Sequence, residues 1–199
     1  MIYSIGLTGT IASGKSTAAA FFAKQNIPIL SADAFARAQT LPNEPAFHAI
    51  VEHFGSSIQN PFGEINRRRL REIIINDPQQ RQWLESLLHP LIKKNIQHAL
   101  SIATGSYCVV EIPLLTHRDD YPDLKRVLLI QAEKEIQIKR LMLRDHCSES
   151  EALTFLATQP TNQHHLADDI IINNGHVDEF SKKLQTLHEQ YLRLAQSTR

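Results

Sequence analysis

The chain has 199 residues, enough for one domain with a sizeable core. Its 21 Lys and Arg residues balance 21 Asp and Glu, so no global field draws it to nucleic acid or to an anionic membrane, and any anion site must be local. Two cysteines, Cys108 and Cys147, without Cys-x-x-Cys spacing, argue against a disulfide scaffold, and the lack of a signal-like or membrane-length apolar stretch adds to the expectation of a cytoplasmic protein.

Residues 3–7 read as a short buried strand and 16–24 as a helix of strong helix formers. Between them, Gly9-Thr10-Ile11-Ala12-Ser13-Gly14-Lys15-Ser16 has the phosphate-binding loop spacing: two glycines separated by four residues, then Lys-Ser. The glycines permit dihedrals closed to other residues, so consecutive N–H groups can face a phosphate chain at the positive end of a helix. Gly9, Ala12, Ser13, Gly14, Lys15, Ser16 and Thr17 are therefore the expected nucleotide-binding residues. Lys15 would reach the β- and γ-phosphates, and the Ser16 hydroxyl would hold Mg²⁺. A plain glycine turn would explain neither the preceding strand nor the serine.

A second strand is expected over 27–30 and a helix from Ala34, which leaves Asp33 at the C-terminal end of a strand. Open parallel sheets gather ligand chemistry there, and Asp is also a favoured helix N-cap, so spacing alone leaves both roles open. Pro42 and Pro45 mark a loop, 46–54 is helical, and Gly55 with Asn60-Pro61-Phe62-Gly63 ends it. In 66–74, Leu70, Ile73 and Ile74 form an inward stripe while Arg67 and Arg71 share another face. Two arginines one turn apart can clamp a phosphate or pyrophosphate, or simply form a solvated basic face. A helix over 78–88 carries Trp83 and is expected to break at His89-Pro90, with another over 91–104. Residues 40–104 thus read as a helical insertion between sheet strands.

Residues 107–112 form an apolar strand in which Cys108 is a small buried hydrophobe. Its one acid, Glu111, is costly there unless it meets a cation, and it stands where a carboxylate would approach Mg²⁺. A strand over 126–130 leads to a helix over 133–144, on which Arg140 and Arg144 lie one turn apart and can reach one point. Ser148-Glu149-Ser150-Glu151 is a capping box opening a short helix, and Pro160 ends that segment. The last strand is 169–173, followed by an Asn174-Gly175 turn and a helix over 177–195 with Phe180, Leu184, Leu187, Tyr191 and Leu194 on one side. The ten histidines are scattered without zinc-like spacing.

In order, the phosphate loop, Ala32-Asp33 with Ala36-Arg37, the arginines of 67–71, Leu87-Leu88-His89-Pro90-Leu91-Ile92, Pro113-Leu114-Leu115, Arg140 with Arg144-Asp145, and the tail from Ala167-Asp168 to Asn173-Asn174-Gly175 resemble the dephospho-coenzyme A kinase family nearly end to end. The resemblance implies an α/β P-loop NTPase fold of three layers, with a parallel sheet, a helical substrate-binding insertion and a helical lid. It implies one kinase domain with its core at about 1–40, 105–139 and 166–199, the insertion at about 40–104 and the lid at about 140–165. The implied reaction transfers the γ-phosphoryl group of ATP, with Mg²⁺, to the ribose 3′-hydroxyl of dephospho-CoA, the last step of coenzyme A synthesis. The implied partner is that small molecule alone, with no nucleic acid or membrane, and the implied assembly is a monomer or small homo-oligomer.

Residue by residue, the family's catalytic Asp maps onto Asp33, with Lys15 and Arg140 as further catalytic groups. Arg144 and Asn174 join the nucleotide site, Arg37, Arg67, Arg68, Arg71 and His89 join Asp33 around the acceptor, and Ser16 and Glu111 serve the metal. The sequence departs from the family pattern where Thr10 and Ala12 stand at common glycine positions and Thr116-His117 replace Phe-Glu. The stretch 159–168 also lacks the usual basic residue, with His164 or His165 nearest. Two other readings are a P-loop kinase for another small acceptor, such as a nucleoside monophosphate or sugar, and a nucleotide-switch protein. The second predicts Asn-Lys-x-Asp and Asp-x-x-Gly motifs, and neither occurs.

Overall fold

The computed structural model describes residues 2–113, 115–157, 159 and 163–197. Leu114 and Pro160 of the sequence reading lie outside the described residues. Five strands, β1 (Tyr3–Gly9), β2 (Ile29–Ser31), β3 (Tyr107–Glu111), β4 (Arg126–Gln131) and β5 (Asp169–Ile172), form one parallel sheet in the order β2-β3-β1-β4-β5. The helices are α1 (Lys15–Lys24), α2 (Ala32–Gln39), α3 (Pro45–Phe54), α4 (Arg67–Asn76), α5 (Pro78–Ile102), α6 (Lys134–Asp145), α7 (Glu149–Ala157) and α8 (Val177–Ser197). None of the described helices is long and apolar enough to cross a membrane.

The chain divides into two compact units, Met1–Ser31 with Ala99–Arg199, and Ala32–His98. In the first, β1, β3 and β4 read as apolar runs because both sheet faces are covered. Ile5, Leu7, Val109, Leu128 and Ile130 bury one set of side chains with Phe22 of α1 and Phe180, Leu184 and Tyr191 of α8. Their neighbours Cys108, Val110, Val127 and Leu129 are fully buried as well. Burial pushes the Cys108 thiol up to about 12, so it is a neutral, inert hydrophobe, as the strand pattern implies. Tyr107 stacks edge-on with Phe22 and Tyr191, and its hydroxyl bonds His188 Nδ1 at 2.7 Å.

The second unit is helical and has its own core. Phe47, Ile50, Ile58, Ile65, Leu70 and Leu84 are buried together, with Ile73, Ile74 and Trp83 packed against them. The stripe on α4 therefore faces inward as its spacing requires, and Asn66 caps that helix by accepting from the Arg69 N–H at 3.1 Å.

Two expectations are corrected. The chain does not break at His89-Pro90: α5 runs unbroken through Pro90. Proline removes one backbone bond, to the carbonyl of Ser86, and both Ser86 and Pro90 are exposed, so water can take the orphaned acceptor while Leu84 and Ile92 bury the opposite side. The helix after β2 begins at Ala32 rather than Ala34, so Asp33 lies inside the first turn and is not the N-cap.

Candidate active site

In the sheet unit the loop between β1 and α1 takes its shape from three residues. Gly9 (φ 156°) packs against the end of β4, where a β-carbon would collide with the Ile130 carbonyl. Gly14 (φ 107°) is the N-cap of α1 and lies against the Asn173 amide, again with no room for a β-carbon. Ala12 adopts φ 58°, a left-handed conformation that a non-glycine residue takes only when its surroundings hold it. The turn closes by the Ser13 N–H donating to the Thr10 carbonyl at 3.2 Å.

Gly14 caps α1 without a side-chain hydrogen bond to the first turn, and helix N-termini of this kind can take an anion. A cavity of about 440 Å³ opens there, walled by Ala12, Gly14, Lys15, Ser16 and Thr17, with Arg140 and Arg144 from α6. The volume suits a nucleotide-sized ligand. The Lys15 ammonium folds back to the Gly9 carbonyl at 3.5 Å. Ser13 is buried, and its Oγ has no hydrogen-bond partner among the described residues.

The outward carbonyls of the loop are met by side chains. Arg140 Nη1 donates to Ala12 O at 3.3 Å and Ser13 O at 3.4 Å, and its Nη2 to Asn173 Oδ1 at 3.5 Å. Asn173 Nδ2 donates to Ser13 O at 2.8 Å, and Gln137 Nε2 donates to Ile11 O at 3.1 Å and to the Thr10 hydroxyl. Arg144 lines the same cavity as Arg140 and is forked onto Asp145 at 2.8 Å.

Of the other expected residues in this unit, Glu111 ends β3, half-buried and in register with both Leu7 and Ser31. Asn174 does not line the cavity: its Oδ1 accepts from the Glu133 N–H at 2.9 Å and ties the end of β5 to the start of α6. Its neighbour Asn173 lines the cavity instead. The sequence reading does not single out Gln137 or Asn173. Gln137 had a signal, since it stands three residues before Arg140 on one helical face, whereas nothing in the Asn173-Asn174 pair tells which one turns inward.

In the helical unit, Asp33 follows the last residue of β2 by two positions. Arg37 is one turn further along α2, and its carbonyl accepts from the Thr40 hydroxyl at 3.0 Å. Arg67 Nη2 reaches that same carbonyl at 3.5 Å and the Thr40 Oγ1 at 3.3 Å, which spends it on the end of α2. Arg68 pairs with Glu72 at 3.1 Å on an exposed face, and Arg71 and His89 are exposed. The two-arginine clamp read from Arg67 and Arg71 is thus half engaged within the protein itself.

Ser16 offers a hydroxyl oxygen and Glu111 a carboxylate, and no group of three or more His, Cys, Asp or Glu among the described residues could hold a metal. Mg²⁺ commonly takes one or two protein oxygens and fills its remaining positions with phosphate oxygens and water, a donor set these two residues fit.

Known proteins resemble the chain along nearly its whole length. Residues 3–179 match the model of a family described as dephospho-CoA kinase (CoaE). The dephospho-CoA kinase of Legionella pneumophila (strain Philadelphia 1) is 47% identical over 197 residues, 98% of each chain. That of Escherichia coli K12 is 42% identical, across 98% of this chain and 96% of its own. The structure of dephospho-CoA kinase from Campylobacter jejuni superposes with a TM-score of 0.72 at 26% identity, covering 100% of both chains.

Proposed function

The chain belongs to the dephospho-CoA kinase family, an ATP-using group of phosphotransferases that carries out the final step of coenzyme A synthesis, and we propose how its residues divide that work. The acceptor hydroxyl, at the ribose 3′ position of dephospho-CoA, attacks the γ-phosphorus as the bond to the β–γ bridging oxygen breaks. Such transfers pass through a loose transition state, so alignment and charge neutralisation matter more than a strong base. Lys15 and the first-turn N–H groups of α1 hold the phosphates. The observation that carries this reading is the cavity beside the glycine-capped N-terminus of α1, walled by Lys15, Ser16, Thr17 and Arg140.

Asp33 orients the acceptor hydroxyl and takes its proton late. Support comes from its place just past the C-terminal end of β2, in a first turn where it is not spent as the cap. Arg140 neutralises charge at the loop, Arg144 flanks the nucleotide, and Arg37, Arg67, Arg68, Arg71 and His89 are the acceptor-side set. Ser16 and Glu111 hold Mg²⁺, which when bound supplies charge neutralisation on the phosphates.

The test is a coupled assay with ATP, Mg²⁺ and dephospho-CoA, with product mass confirmed, on the parent and on Asp33→Asn. The variant should bind ATP as the parent does and lose about a hundredfold or more in kcat. Near-parent turnover would remove Asp33 from the mechanism.

A further inference from the structure

A loop that turns its N–H groups toward an anion must turn carbonyls the other way, and carbonyls shut off from water need donors. Here those donors come mainly from one face of α6. Gln137, only 6% exposed, sends its amide nitrogen to both the Ile11 carbonyl (3.1 Å) and the Thr10 hydroxyl, and Arg140, one turn on, takes the next two carbonyls. The amide orientation is forced by chemistry, because the Ile11 carbonyl can only accept. Thr10 stands at a position where a glycine would offer no hydroxyl, and two residues on Ala12 holds a left-handed conformation without being glycine.

From this juxtaposition we infer that Gln137 is a positioning residue for phosphoryl transfer: its two-point grip on Thr10 and Ile11 sets the ATP-binding shape of the phosphate loop. The grip holds from outside the loop two residues that are not glycine. Gln137 acts through the loop backbone and does not itself touch the transferred group. The inference rests on the reading of the loop as the ATP phosphate site.

The experiment compares the parent with Gln137→Ala, Gln137→Met, Thr10→Val, the Gln137→Ala/Thr10→Val double variant and Lys15→Ala. ATP binding is measured by calorimetry, KM is measured for each substrate, and melting is followed without nucleotide. Gln137→Ala should weaken ATP binding about tenfold and Thr10→Val about threefold, with KM for dephospho-CoA nearly unmoved. The double variant should match Gln137→Ala alone, since the hydroxyl has nothing left to anchor. Gln137→Met keeps the volume but has no donor and should fail to rescue. Rescue by Met, or multiplying effects in the double variant, would overturn the positioning role. If the Gln137 variants do not fold, Thr10→Val decides, and unchanged ATP affinity there overturns the inference. Parent-like ATP binding by Lys15→Ala would instead sink the phosphate-site reading itself, which separates the two failures.

Discussion

At residue scale the phosphate loop works by exclusion. At Gly9 and Gly14 any side chain would strike the Ile130 carbonyl or the Asn173 amide, so glycine there is a matter of space as well as of dihedral. Ala12 is different: it carries a side chain into a left-handed conformation and depends on the carbonyl bonds from Arg140 for support. Replacing it with glycine removes the strain but adds freedom to the unfolded chain, and the two effects partly cancel. Ala12→Gly should therefore stabilise the protein by about 0.5 kcal/mol, read as a small rise in the urea midpoint. A loss of more than that would mean the alanine methyl packs usefully against its surroundings.

At the scale of elements, helix ends and interiors obey different constraints. The box at Ser148 forms as its spacing requires: the Ser148 N–H donates to Glu151 Oε2 at 2.8 Å while the Glu151 N–H donates to Ser148 Oγ at 3.3 Å. The backbone and hydroxyl bonds from Ser148 hold the Glu151 carboxyl below its usual range. Asn66 plays the same part for α4, and Asn66→Ala should cost about 1 kcal/mol in chemical denaturation without changing KM for ATP. Helix interiors are more forgiving than the proline rule suggests. Pro90 sits inside α5 because the unpaired carbonyl falls on an exposed face, a fact that depends on which side of the helix the rest of the chain covers.

At the scale of the whole molecule, the described residues include one core packed against the sheet and another among the helices of 32–98. The single tryptophan, Trp83, belongs to the second, where it stacks on His53 with ring centroids 3.7 Å apart. Tryptophan fluorescence should therefore report the helical unit, and its denaturation curve should not coincide with far-UV circular dichroism; coincident curves would show one cooperative transition. In the sheet unit, burial holds His188 below its usual pKa, with Glu189 opposing. The unfolded chain takes up that proton near about pH 6.5 while the folded chain resists it to lower pH. This contribution is therefore intact above about pH 6.5 and is lost as pH falls toward the folded pKa. His188→Gln, which can still bond the Tyr107 hydroxyl, should flatten the fall of Tm as pH drops below about 6.5.

Local information fixed much of this protein. Apolar runs at β1, β3 and β4, the glycine spacing around Lys15, the stripe on α4 and the box at Ser148 are all short-range patterns, each with a physical cause within a few residues. Together they specify the strand–loop–helix unit proposed to bind the nucleotide and carry the ordered motifs of the family. Tertiary structure decided what periodicity cannot encode. It turned Asn173 rather than Asn174 to the loop, sent Gln137 to the outward carbonyls, spent Arg67 on the end of α2 and paired Arg144 with its own neighbour. These are choices among partners distant in sequence or alternative rotamers of one residue, and only the assembled packing sets which buried polar group is left needing a bond.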